Sequence, residues 1–165
     1  MSGLGLPHHH LHEVDVELTV TIGRPRDAVF DVLEDAEQMA RWMAEFETVE
    51  RVAGDAPIGA GTTFRYEVAR YGLESTFEWR EHEPPRRLRW DGPELETPLG
   101  LLVPAGSFTL ARANGGATLV TAGFAPRVGG SLALMQGVIR PAIEHAAHAD
   151  LERLRELLEA DGGSG

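Results

Sequence analysis

The sequence contains no cysteine and no lysine. The first absence excludes disulfides, thiolate metal sites and cysteine nucleophiles. The second excludes Schiff-base chemistry and a P-loop, and leaves arginine at all 15 strongly basic positions. Positive charge is scarce as well: 26 acidic residues oppose those 15, for a formal net charge of −11. That balance makes an anionic nucleic-acid backbone or an anionic membrane surface an unfavourable partner. Long hydrophobic runs are missing. The longest uncharged stretch, Thr97 to Ala111, is interrupted by Pro98, Gly100, Pro104 and Gly106. It is also shorter than the ~18 residues a membrane helix needs. The N-terminus shows no basic segment followed by an apolar stretch. These absences predict a soluble, cytoplasmic protein with no nucleic-acid partner and no membrane insertion; we further expect no cofactor, and a monomer or homodimer.

What is present is ordinary for a folded domain. The chain has 165 residues, 42% hydrophobic and 25% charged. That is enough for one core. We expect a flexible lead-in over 1–12, a single domain over 13–160 and a flexible tail over 161–165. Val14 to Ile22 alternates strictly and predicts a half-buried strand. Pro25 and Asp27 mark a helix start, with Val29, Phe30 and Leu33 on its buried side. Asp35 and Gln38 are spaced as a capping box for a second short helix, which carries Met39, Trp42 and Met43.

Strands follow in succession. They are expected over Phe46–Val52, Thr62–Tyr71, Leu73–His82, Arg87–Asp91, Ser107–Arg112 and Ala117–Phe124. The last two join across Asn114-Gly115-Gly116, a hairpin signal. From about Ser131 to Ala160 the period changes to that of a helix. Leu132, Met135, Ile139, Ile143, Ala146, Leu154 and Leu157 form its apolar stripe. Ser131 is the expected N-cap. Pro141 should kink this helix by freeing the carbonyl of Gly137, unless the helix starts only after the proline. A long helix and an antiparallel sheet must bury their apolar faces on each other.

The order strand, two short helices, about six strands, long helix resembles the START-like superfamily. This group is also called SRPBCC or polyketide cyclase/dehydrase-like, and has the helix-grip fold. The resemblance is carried by Pro25–Leu33 with Asp35, by Trp42 and by Gly59-Ala60-Gly61-Thr62. Glu83-Pro84-Pro85-Arg86-Arg87-Leu88, Gly115-Gly116-Ala117-Thr118 and Asp150-Leu151-Glu152-Arg153-Leu154 extend it. It covers about residues 14–160. It implies an α+β fold in which a curved antiparallel sheet of about seven strands wraps a long C-terminal helix. It further implies a hydrophobic ligand cavity between the two. No catalytic motif transfers with it. The segment Pro93–Gly106 is longer than the resemblance would have it, and could be a lid or an interface.

Strand alternation assigns the faces. Phe64, Tyr66, Phe77, Trp79, Trp90, Phe108 and Leu110 should point toward the helix, with Arg and Glu on the solvent side. Together with Trp42, Met135, Ile139 and Ile143 they form the candidate ligand-binding set. Rigid aromatic walls suit a flat hydrophobic molecule. Tyr66 is the first candidate for a catalytic or hydrogen-bonding hydroxyl. Asp150, near the helix's apolar face, needs a partner, most simply an arginine. His145 and His148 have a metal-compatible spacing but project away from the stripe. His8, His9, His10 and His12 cluster in the lead-in, and His82 is expected at the surface, so no metal site is predicted. Three functions compete: a small-molecule binding domain, a cyclase/aromatase/dehydratase-type enzyme, and a protein-interaction module using Leu99–Val103.

Overall fold

A computed structural model of the chain describes residues 11–163 except 53 and 55. In chain order its strands are β1 (His12–Glu13), β2 (Val16–Ile22), β3 (Thr48–Arg51), β4 (Thr63–Val68), β5 (Leu73–Glu83), β6 (Arg87–Asp91), β7 (Leu95–Thr97), β8 (Gly100–Val103), β9 (Ala105–Arg112), β10 (Thr118–Phe124) and β11 (Arg127–Val128). The main layer is an antiparallel sheet of seven of them, in the order β2-β10-β9-β6-β5-β4-β3. Helix α1 (Arg26–Glu34) and a 3-10 turn (Ala36–Arg41) follow β2. A short helix α2 (Ser131–Leu134) leads into α3 (Gln136–Gly163), which crosses the concave face. This is the expected helix-grip arrangement.

The alternation of residue types produces the layer. In β4, Phe64, Tyr66 and Val68 are buried while Arg65 and Glu67 are exposed. Phe77 and Trp79 in β5, Leu88 in β6, and Phe108 and Leu110 in β9 join the same core. The outer face carries cross-strand pairs such as Arg65–Glu50 at 2.9 Å and Arg80–Asp91 at 2.7 Å. Such exposed pairs contribute little individually. A register shift between Trp79 and Glu81, where β5 pairs with β6, adds a bulge, and bulges bend sheets.

Several elements differ from the expected ones. The second short helix is a 3-10 turn, and Asp35 makes no side-chain cap to its backbone. Instead its carboxylate accepts from the Gln38 side chain at 3.2 Å. The long helix does not run unbroken from Ser131 to a kink at Pro141. It breaks earlier, at Met135, between α2 and α3. Pro141 then falls near the start of α3 and is carried within it. Ser131 is the first helical residue, and Gly130 precedes it at φ +67. An orphan N–H of that first turn is satisfied from elsewhere: Leu132 N–H donates to Leu99 C=O at 2.9 Å.

The buried stripe of α3 keeps the expected Leu154 but is shifted by one residue at Ala146 and Leu157. Ala147, Leu151, Leu154 and Leu158 are buried, Ala146 is exposed and Leu157 half-buried. Two adjacent alanines give hydropathy no means to choose between neighbouring phases. The helix also runs to Gly163, beyond the expected end at Ala160. Its last turns are held by Arg24, whose guanidinium donates to Leu158 C=O at 2.8 Å. At the other end of the chain, His12 lies in β1 rather than in a lead-in. His8, His9, His10 and the tail residues 164–165 lie outside the described residues. His82 is not at the surface: it meets Glu34 Oε1 at 2.6 Å and the Phe30 ring edge-on at 5.4 Å.

A second sheet was not expected. It has four strands in the order β1-β11-β8-β7. The segment Pro93–Gly106 is thus largely a β-hairpin, β7–β8, that runs into β9. Among the described residues no helix is long and apolar enough to cross a membrane.

Two tethers fix α3 to the loop after the 3-10 turn. Asp150 accepts from Ala44 N–H at 3.2 Å and pairs with Arg153. Arg153 Nε donates to Trp42 C=O at 3.0 Å. Burial raises the Asp150 pKa above its ordinary 3.8, and the Ala44 and Arg153 bonds offset this only in part. A carboxyl whose pKa rises on folding holds its proton more tightly in the folded state. Its contribution to stability therefore falls as pH rises from the ordinary value through the raised one. Asp150→Asn keeps an acceptor for Ala44 and removes the titration. The gap in unfolding free energy between the two proteins should shift in the variant's favour as pH rises from 3.8. Urea titrations at several pH values measure it. Trp79 has no exposed surface and donates from Nε1 to Glu34 C=O at 3.2 Å. Trp79→Phe should cost about 1 kcal/mol, and Trp79→Ala about 3–5 kcal/mol, in the same measurement.

Candidate ligand cavity

Between the concave face and the second sheet lies a cavity of about 950 Å³. The range for small-molecule sites is roughly 300–1,000 Å³. Its floor is aromatic. Phe46 tilts against Tyr66 with centroids 4.9 Å apart, Tyr66 against Phe77 at 6.0 Å, and Phe77 against Trp90 at 5.7 Å. Phe108 and Phe124 extend the wall along β9 and β10. Trp90 can lie flat because its neighbour across the β6–β9 pair is Gly106. A Cβ there would come within 2.6 Å of the indole ring.

The opposite wall is the β7–β8 hairpin. Leu95 to Ala105 contributes more lining residues than any other segment, Leu99, Leu102 and Pro104 among them. The hairpin is latched in place by backbone bonds. Leu101 N–H donates to Gly129 C=O at 3.2 Å, and Gly129 N–H donates to Leu101 C=O at 3.0 Å. The latch requires glycine at position 100, where φ is +137 and a Cβ would stand 2.1 Å from the Gly129 oxygen. Leu132 of α2 and Ile143 of α3 close the roof, and Met39 and Met43 one end.

The candidate ligand-binding residues divide into two groups. Tyr66, Phe77, Trp90, Phe108 and Ile143 line the cavity. Trp42, Phe64, Trp79 and Leu110 lie in the surrounding core, off the cavity wall. Met135, at the break, and Ile139 are half-buried and also off the wall. Met39, Met43, Phe46 and the hairpin residues were missed as lining. Their signal was an apolar face on the short helix and the leucines of 95–102 between prolines and glycines. The expected apolar interaction patch is largely turned inward. Val103 is buried, Leu101 and Leu102 are half-buried, and Leu99 alone of that set is exposed, at 49%.

Polar groups at the cavity are few. Tyr66 is buried, and burial raises its pKa above the ordinary 10, with the Ser75 side-chain hydrogen bond opposing that shift. At neutral pH its hydroxyl is therefore protonated and has a proton to donate. Glu45 holds Arg70 Nη1 through Oε1 at 3.2 Å, while its Oε2 is buried without a hydrogen-bond partner. Thr97 Oγ1 is engaged within the hairpin turn, donating to Gly100 C=O at 2.9 Å. Glu96, Pro98, Leu99 and Tyr71 are exposed and mark the mouth. Among the described residues no group of three or more His, Asp or Glu is placed to hold a metal ion. His145 and His148 are both exposed on α3.

Known proteins share this architecture. Protein TTHA0849 of Thermus thermophilus superposes with a TM-score of 0.70 at 20% identity, covering 89% of this chain and 98% of that one. The Zhui aromatase/cyclase of a Streptomyces species gives 0.68 at 21%, covering 90% and 94%. Ara h 8.0201 gives 0.65 at 12%, covering 90% and 99%. At these identities the likeness is one of fold. No curated protein matches the sequence significantly. The family model described as polyketide cyclase / dehydrase and lipid transport, however, matches residues 13–159, nearly the whole helix-grip domain just described, and the chain belongs to that family.

Proposed function

We propose that this protein binds a small hydrophobic molecule, aromatic or polyketide/lipid-like, in the cavity between sheet and C-terminal helix. One observation carries the reading: a cavity of about 950 Å³ whose wall is almost continuously apolar and aromatic. Packed cores leave few voids larger than a water molecule. An apolar space of this size gains most when a ligand of matching character fills it. The family's description, polyketide cyclase / dehydrase and lipid transport, supports the same reading.

A second reading is enzymatic. The buried Tyr66 phenol, held protonated, can donate to the carbonyl of a poly-β-carbonyl chain folded against Phe77 and Trp90. In that case the cavity wall shapes the chain and the phenol polarises the carbonyl to which it donates.

Nile red, a neutral apolar fluorophore, tests the binding reading directly. The protein should bind it at one site, and native mass spectrometry of the purified chain should show one hydrophobic molecule per cavity. Ala105→Trp adds an indole at the cavity wall and should weaken Nile red binding by roughly tenfold or more, with unchanged circular dichroism. Equal affinity in both proteins would place the dye elsewhere and remove the reading. Tyr66→Phe separates the two roles: binding persists in a carrier, whereas an enzyme loses turnover with its fold intact.

A further inference from the structure

We propose that the cavity selects an uncharged or amine-bearing hydrophobic molecule and rejects hydrophobic carboxylates and other anions. The proposal rests on the hydrophobic-ligand reading above and specifies its chemistry. Its basis is the set of charged groups around the cavity. The formally charged side chains in the described lining are Glu45 and Glu96, and no arginine or histidine lines it.

The cation placed at this rim is Arg70, and it is already engaged. It holds Glu45 Oε1 at 3.2 Å and stands 5.1 Å from the centre of the Tyr71 ring. Its side chain is 71% exposed, facing water rather than the aromatic floor. An entering carboxylate would have to shed its hydration, meet two carboxylates, and compete with Glu45 for Arg70. A hydroxyl or amine meets the opposite situation. Neither adds a negative charge to this wall, and an ammonium gains from the two carboxylates there. Deeper in, Phe77 and Phe108 are buried and offer only ring surface. The polar end of the ligand therefore belongs at the Glu45 side and its apolar body over the aromatic floor.

Three probes with one ring system test this: 1-pyrenemethanol, 1-pyrenemethylamine and 1-pyrenecarboxylate, titrated by fluorescence into the full chain at neutral pH. The alcohol and the amine should bind roughly tenfold or more tightly than the carboxylate. Glu45→Gln with Glu96→Gln should narrow that gap by raising carboxylate affinity. Circular dichroism checks that the double variant is folded. Added salt should narrow the gap in the wild type. Equal or tighter binding of the carboxylate overturns the proposal, most directly if Arg70→Ala then abolishes it. An unchanged gap in the double variant overturns it too. If none of the three probes binds, the hydrophobic-ligand reading itself fails and takes this one with it. Binding of all three without preference overturns this proposal and leaves the hydrophobic-ligand reading standing.

Discussion

The cavity exists because α3 is attached to the sheet along only half its length. From Ala147 onward the helix buries a full stripe, and its flanks are tied by side chains to backbone. Arg153 holds Trp42 C=O, Asp150 holds Ala44 N–H, and Arg24 reaches Leu158 C=O. Before Ala147 no residue of α3 is fully buried. The break at Met135 allows this. A single straight helix would carry its first turns away along the axis set by the packed half, whereas a break lets α2 turn and meet the hairpin. The fold thus concentrates its packing on one end of the helix and leaves a space at the other.

That space would be an open trough without the second sheet. β7 and β8 are short, and a hairpin of that size is marginal by itself. It is stabilised by joining β11 and β1, and by offering the Leu99 carbonyl as acceptor to the start of α2. The hairpin, the Gly129–Gly130 turn and α2 are therefore one hydrogen-bonded unit. Gly100 and Gly130 are at positive φ, and a Cβ on either would meet the facing backbone within 3.3 Å. Close backbone approach substitutes here for side-chain packing.

The sequence made some of this legible and hid the rest for identifiable reasons. Period-two alternation in β4, β5, β6 and β9 assigned the buried face correctly, because the inward face of each strand is aromatic or aliphatic and the outward face polar. Alternation carries no information about depth along the sheet. Trp79 and Trp90 are directly opposed in the β5–β6 pair. Yet Trp79 is pinned beneath α1 through Glu34, whereas Trp90 stands at the cavity over Gly106. The difference comes from what crosses above each ring, and that is tertiary. The second sheet was illegible because β1 and β11 have two residues each, too few for any period. Its hairpin is bounded by prolines and glycines that read locally as loop. The phase of α3 was lost between Ala146 and Ala147, where hydropathy is equal.

The chemistry of the cavity follows from comparing two terms of similar size. A ligand that buries about 300 Å² of apolar surface gains roughly 7 kcal/mol, and part of that is offset by lost translational freedom and ordering. Moving one carboxylate from water into such a site costs several kcal/mol after relaxation unless a cation accompanies it. The apolar gain therefore attracts almost any flat hydrophobic body of the right volume, and the polar end decides which body stays. The charged side chains in the described lining are Glu45, whose one oxygen is held by Arg70, and Glu96. Tyr66, in the floor itself, adds a buried hydroxyl hydrogen-bonded with Ser75. An aromatic floor beside a wall whose charged groups are acidic would thus favour a flat hydrophobic body and disfavour one with an anionic end.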